Sequence, residues 1–167
     1  MKLALIVAAS EDSEGRNVIG QNGEIPWRAP GHIGKYKRDM DRFRNLTMNN
    51  AIIMGRKTAD TFSKPLRGRE NIILTRNKEY KREGFKVCNF PEQAIEIASG
   101  YSINPFVIGG ADIYNLFFDM AGTIEFTKIK EKFNGDSYFP KIDPANWKEE
   151  GGEDKEFYSF VTYNRIN

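Results

Sequence analysis

Apolar runs of strand length recur along the chain at Leu3–Ala9, Ala51–Met54, Asn71–Leu74, Lys86–Cys88, Pro105–Ile108 and Thr123–Lys130, several with no polar alternation. A strand that is apolar on both faces needs cover on both faces, so these runs predict an α/β fold with mostly parallel pairing. Between them the spacing predicts helices over Lys35–Met48, near Thr58–Phe62, over Pro91–Ser99 and over Asp112–Met120, where Ile113, Leu116 and Phe117 share one apolar face. The tail alternates differently. Trp147–Glu150 and Phe157–Arg165, around the polar Gly151–Lys155, predict a closing antiparallel hairpin.

The chain has 167 residues, of which 40% are hydrophobic and 29% charged, enough for one filled core and too little for two ordinary domains. A single domain over residues 1–167 is therefore expected. With 25 basic and 23 acidic side chains the net charge is only +2, so no general field points to nucleic acid or to an anionic membrane, and anion binding must come from local clusters. One cysteine, Cys88, excludes an internal disulfide, and with His32 as the sole histidine no Cys/His metal site is expected. Both features fit a reducing cytoplasm. The run Leu3–Ala9 is short for a signal peptide and is followed at once by Glu11 and Asp12, so it reads as a buried first strand. No run approaches bilayer length.

Five segments carry candidate chemistry. Val18–Trp27 reads as a Gly-rich flexible loop leaving the first strand and ending in a flat apolar wall, Pro26-Trp27. On the helix Lys35–Met48, at ~100° per residue, Tyr36, Met40, Phe43 and Leu46 form one stripe. Asp39 falls inside that stripe and Asp41 on the opposite side. A carboxylate on an apolar face is costly unless bonded, so Asp39 should have a dedicated partner. Ala51–Thr58 is a strand breaking at Gly55 into Arg56, Lys57 and Thr58, an arrangement suited to a phosphate but without the Walker pattern; a plain turn with exposed charges fits it too. Arg69 and Arg76 flank the strand Asn71–Leu74; Arg69 could grip a carboxylate bidentately and Arg76 could join Arg56 and Lys57 around a phosphate, though taken singly each reads first as a surface cation. Phe106–Tyr114 is a strand, a Gly109-Gly110 pair and a helix start, open to close approach of a flat or charged ligand; Gly-X-Gly-X-X-Gly is absent. His32, in a polar loop, and Cys88, in a short strand, carry no assigned role.

In this order the segments resemble the dihydrofolate reductase family over nearly the whole chain: Val18-Ile19-Gly20 with Pro26-Trp27, Asp39 with Phe43, Ile53–Thr58, Pro65-Leu66 and Gly68-Arg69 leading into Asn71–Leu74, Val107–Gly110 with Tyr114, Thr127, and Gly135–Pro140. The resemblance implies a three-layer fold, a mixed, mostly parallel eight-stranded sheet with four flanking helices, and NADPH-dependent reduction of 7,8-dihydrofolate to tetrahydrofolate. It implies that Asp39, Trp27 and Thr127 serve catalysis, with Asp39 bonding the pterin and Thr127 bridging the two. It places Ile6, Ala8, Met40, Phe43, Phe62, Leu66, Ile108 and Tyr114 around the substrate and Arg69 on the glutamate tail. Around the cofactor it places Ala8, Ile19, Gly20, Gly55, Arg56, Lys57, Thr58, Leu74, Thr75, Arg76 and Ile108, with Gly109, Gly110, Ala111, Asp112 and Ile113 at the pyrophosphate and Ile25 beside Trp27 in a mobile loop. A cytoplasmic monomer that takes dihydrofolate and antifolates is implied as well.

The chain departs from the compact bacterial pattern in three places: a longer approach from Trp27 to Asp39, including Ala29–His32; Ala111 as the residue after the glycine pair; and a longer loop over Asp12–Asn17. Two other readings share these features. One is a pterin- and NADPH-binding protein without turnover, against which Asp39, Trp27 and Thr127 speak. The other is a pyrimidine reductase of flavin synthesis, which would need neither a helix carboxylate nor Arg69.

Overall fold

The computed structural model describes residues 1–32 and 34–166. These form ten strands, four α-helices and two short 3-10 segments among the described residues. They gather into two compact units, one of Met1–Leu5 and Asn45–Gly122, the other of Ile6–Arg44 and Thr123–Asn167.

The first unit is built on parallel strands. β3 (Ala51–Gly55), β4 (Glu70–Leu74), β5 (Lys86–Cys88) and β6 (Phe106–Gly109) lie in the order β5-β4-β3-β6, and the first residues of β1 (Ala4–Glu11) pair with β6 through Ala4↔Phe106 and Leu5↔Val107. Ile52, Ile53, Met54, Ile72, Ile73 and Val107 are fully buried, as continuous apolar runs require in a sheet covered on both faces. Helix α3 (Pro91–Tyr101) opens on Pro91, whose missing N–H costs nothing at a first helical position, and buries Ala94 and Ala98 one turn apart. Helix α2 (Arg56–Asp60) follows β3 directly, and α4 (Ala111–Phe117) follows β6, burying Ile113, Tyr114 and Phe117. The helix expected to reach Met120 ends at Phe117 and tightens into a 3-10 turn over Phe118–Met120.

The second unit carries antiparallel strands. β10 (Tyr158–Arg165) pairs with β7 (Thr123–Ile129) on one side and with β9 (Trp147–Glu150) on the other, so the expected C-terminal hairpin is present. β1 neighbours β7. Helix α1 spans Lys37–Thr47, two residues shorter at its start than the spacing predicts, because Gly34 has a left-handed φ of 92° and Gly34–Tyr36 form a preceding turn. Its end is set by Asn49 at φ 63°, a left-handed position that a helix cannot continue through.

The six strands read from apolar runs and the two of the C-terminal hairpin are all present, and two more appear. β2 (Asn17–Gly20) pairs with β1 through Ser10↔Val18, and β8 (Ser137–Phe139) pairs with β2 through Val18↔Tyr138. Val18–Gly20 was expected as flexible loop. Two β-branched residues and a paired edge on each side make it a strand instead, with Val18 fully buried. The turn before it is tied by Asp12, whose carboxylate accepts from the Glu14 and Arg16 N–H groups and from Arg16 Nε at 2.8 Å. After it, Gln21 and Glu24 exchange backbone hydrogen bonds across Asn22 and Gly23, both at positive φ, the signature of a two-residue Asn-Gly hairpin turn.

Candidate active site

The catalytic candidates lie in the second unit. Asp39 is in the first turn of α1 and Thr127 is on β7, fully enclosed, and the Thr127 hydroxyl donates to Asp39 Oδ1 at 2.6 Å. This is the dedicated partner that an acid on an apolar helix stripe requires. Burial pushes the Asp39 carboxyl above the ordinary carboxylate range; the Thr127 hydrogen bond and the charges of Arg28 and Arg42 pull against that shift. Asp41, two residues on, is exposed.

Asp39 opens into a cavity of about 460 Å³ lined with Trp27, Arg28, His32, Gly34, Tyr36, Lys37 and Met40. Trp27 sits in a one-turn 3-10 segment, Pro26–Arg28, and is only 2% exposed, packed with Tyr36, Ile129, Tyr158 and Phe160. It is thus a core side chain as well as a wall. Met40 is half-exposed, since its side of the helix faces this open space, and Arg28 donates to its sulfur at 3.0 Å. Ile6 and Ala8 alternate with Val7 on β1 and so point to one face; Ala8 and Ile25 pack on the Trp27 cluster. Phe43, Ile19 and Gly20 are half-buried in the same unit.

His32 departs from the sequence reading. It belongs to the cavity wall, edge-on to Phe133 at 5.6 Å and 3.7 Å from the Glu131 carboxylate. The lengthened approach from Trp27 to Asp39 therefore builds part of the pocket. Nothing in its composition signals this, because the partners Glu131 and Phe133 are a hundred residues away in sequence.

The cofactor candidates gather in the first unit by strand register. Gly55 pairs with Leu74, and Met54 with Gly109, so the residues stepping off the carboxyl ends of three neighbouring parallel strands are Thr75-Arg76, Arg56-Lys57-Thr58 and Gly110-Ala111-Asp112. That edge of an open α/β sheet is where ligands bind. Arg56, Lys57 and Arg76 are exposed and in no ion pair among the described residues. Gly109 has φ 117°, and a side chain there would meet the Tyr114 ring at 3.2 Å. A Cβ on Gly55 would lie 2.9 Å from Ile113, which lets α4 close on β3. Bare backbone at Gly109 and Gly110 beside unpaired cations and the half-buried Thr58 fits a dinucleotide phosphate. Ile108 is half-buried and Tyr114 buried at the same strand end.

Phe62, Leu66 and Arg69 also belong to the first unit. Asn71 and Thr47, to which the sequence assigns no role, hold Leu66 and Arg69. Asn71, 3% exposed, binds Leu66 at both N–H and carbonyl, and its amide also donates to the Arg69 carbonyl at 3.0 Å. The Thr47 hydroxyl accepts from the Arg69 guanidinium at 3.2 Å. Only a buried asparagine between a loop and a strand hints at such a clamp in sequence.

Comparison with known proteins agrees. A family model described as dihydrofolate reductase matches residues 2–165. The chain is 34% identical over 161 residues to the dihydrofolate reductase of Bacillus subtilis (strain 168), covering 92% of this chain and 91% of that one, and 32% identical to that of Staphylococcus haemolyticus with 99% and 97% covered. Dihydrofolate reductase from Enterococcus faecalis, solved with NADP(H) and RAB-propyl, superposes with a TM-score of 0.82 at 28% identity, covering 99% of this chain and 97% of that one. A conserved-length match joined to a buried, hydroxyl-bonded acid and a phosphate-ready strand edge leaves one conclusion: the chain belongs to the dihydrofolate reductase family and reduces 7,8-dihydrofolate to tetrahydrofolate with NADPH.

Proposed function

We propose that in this reaction Asp39 is the group that binds the pterin and favours its protonation at N5, with Thr127 holding the carboxylate in place. The observation that carries the reading is the 2.6 Å hydrogen bond from Thr127 to a carboxylate that burial has pushed up. NADPH supplies the hydride when bound. The chain's own residues do the rest. Asp39 and Thr127 orient the pterin; Trp27, Met40 and Phe43 exclude water from it, which strengthens every polar contact inside. Arg56, Lys57, Thr58, Thr75 and Arg76 hold the adenosine end and its 2′-phosphate, and Gly109–Ile113 the pyrophosphate. Cys88 is buried and free, its thiol pushed up to about 11, in keeping with a cytoplasmic protein that has no disulfide to form.

Two consequences can be measured. A hydrogen bond to a charged group is worth roughly 1.5–3 kcal/mol, so Arg56→Ala should raise KM for NADPH by about one to two orders of magnitude with kcat little changed, the mark of lost uniform binding. Equal KM values for NADPH and NADH in the unaltered enzyme would contradict the 2′-phosphate assignment. Arg69→Leu should weaken dihydrofolate binding far more than binding of a pterin without the glutamate, because in this reading Arg69 grips the tail carboxylate and touches no reacting atom. Equal losses for both ligands would show that Arg69 acts through the loop that Thr47 and Asn71 tie down.

A further inference from the structure

Asp39 is not the only α1 side chain held by β7. Arg42, three residues later and so on the same side of the helix, reaches the Glu125 carboxylate at 2.5 Å. Glu125 is two residues before Thr127 and shares its face of the strand. Register completes the set: on β10 Thr162 lies opposite Glu125 and Phe160 opposite Thr127. The Thr162 hydroxyl donates to the same Glu125 oxygen at 2.8 Å, and the Arg42 guanidinium stacks over the Phe160 ring at 4.7 Å. Both charged side chains are less than a fifth exposed. An ion pair this enclosed, with a second donor on the same carboxylate oxygen, is costly to break on one side.

We propose that Arg42, gripped by Glu125, Thr162 and Phe160, is the positioning residue for Asp39: it is a second polar clamp between α1 and β7 that fixes the roll of the helix and so keeps the acid on Thr127. With one clamp, α1 can pivot about the Asp39–Thr127 bond. With two, three residues apart on the helix and two apart on the strand, rotation would break a buried charge pair. The cost of a loosened acid is kinetic, since small misplacements at the reacting centre are expensive in rate. The inference rests on Asp39 being the acid and deepens that reading.

The two members of the clamp carry opposite charge, and this makes the role testable apart from folding. The charged groups that act on Asp39 are Arg28 from the 3-10 segment and Arg42 from its own helix, with the Thr127 hydroxyl from β7; Tyr158 on β10 feels the Asp39 charge in turn. In the purified enzyme, Arg42→Gln and Glu125→Gln should each lower the single-turnover hydride-transfer rate by about 10-fold, inside the ~10² that an ångström of misplacement costs. The Asp39 carboxyl, followed by its 13C shift against pH, should titrate higher in Arg42→Gln, where Glu125 is left uncompensated, and lower in Glu125→Gln, where Arg42 is. Arg42→Lys, which keeps the charge and loses the planar guanidinium stacked on Phe160, should titrate like the parent yet remain slow, and it stands in if Arg42→Gln does not melt cooperatively. Rates within a factor of two of the parent, or titrations that move the same way in both glutamine variants, overturn the positioning role while leaving Asp39 as the acid. A parent rate unaffected by Asp39→Asn overturns both.

Discussion

Replacing Asp39 with asparagine should lower the hydride-transfer rate at neutral pH by roughly 10² to 10⁴, the usual scale of acid–base assistance, whereas Asp41→Asn should leave it within a small factor. The two carboxylates are two residues apart on one helix, and only Asp39 is enclosed with a hydroxyl partner. Asparagine keeps the size and an oxygen for Thr127 but not the charge that favours a protonated pterin. The deficit should shrink as pH falls, when solvent supplies the proton. Stability should move the other way. Since burial raises the Asp39 value above that of the unfolded chain, its protonated form favours folding at low pH, and that contribution is lost as pH rises through the folded value. At neutral pH the ionised acid therefore weakens the fold, so Asp39→Asn should unfold at a urea concentration no lower than the parent's. An inactive Asp41 variant would mean that the acid has been assigned to the wrong turn of α1; a marked loss of stability in Asp39→Asn would mean that the charge is a structural one.

Trp27→Ala should cost about 3–5 kcal/mol in urea unfolding, the range for emptying a large buried aromatic. Trp27 is 2% exposed in a cluster with Tyr36, Ile129, Tyr158 and Phe160, and its ring is 6.0 Å from that of Phe133. The side chain also walls the Asp39 cavity, so whatever folded enzyme remains should bind dihydrofolate poorly. Trp27→Phe, which leaves a smaller void, should recover most of the stability and less of the binding. A loss under about 1 kcal/mol for the alanine variant, ordinary for a surface change, would place Trp27 outside the core and return it to the role of a movable cover. The same residue thus serves two ends, and the comparison of alanine with phenylalanine separates them.

The eight strands and four helices were legible because their signal is local. A continuous apolar run such as Ala51–Met54 has one stable place, inside a sheet covered on both faces, and the stripe of α1 isolates Asp39 from Asp41 by angle alone. The demand for a partner to Asp39 was legible too, since an enclosed carboxylate is costly whatever surrounds it. Which side chain meets that demand was not: Thr127 is 88 residues away, and without the family resemblance no local pattern selects it. Strands β2 and β8 escaped because their pairing, not their composition, makes them strands, and short glycine-bearing segments look alike until an edge is beside them. The enclosure of Trp27, the place of His32 in the cavity wall, the grip of Asn71 and Thr47 on the Leu66–Arg69 loop and the Arg42–Glu125 clamp all join residues distant in the chain. Sequence by itself determined which side chains must be buried and which polar groups must find company, because those costs belong to each residue. Only the tertiary structure decided whom they found, because a hydrogen bond or an ion pair is satisfied by proximity in space, and register and packing alone create that.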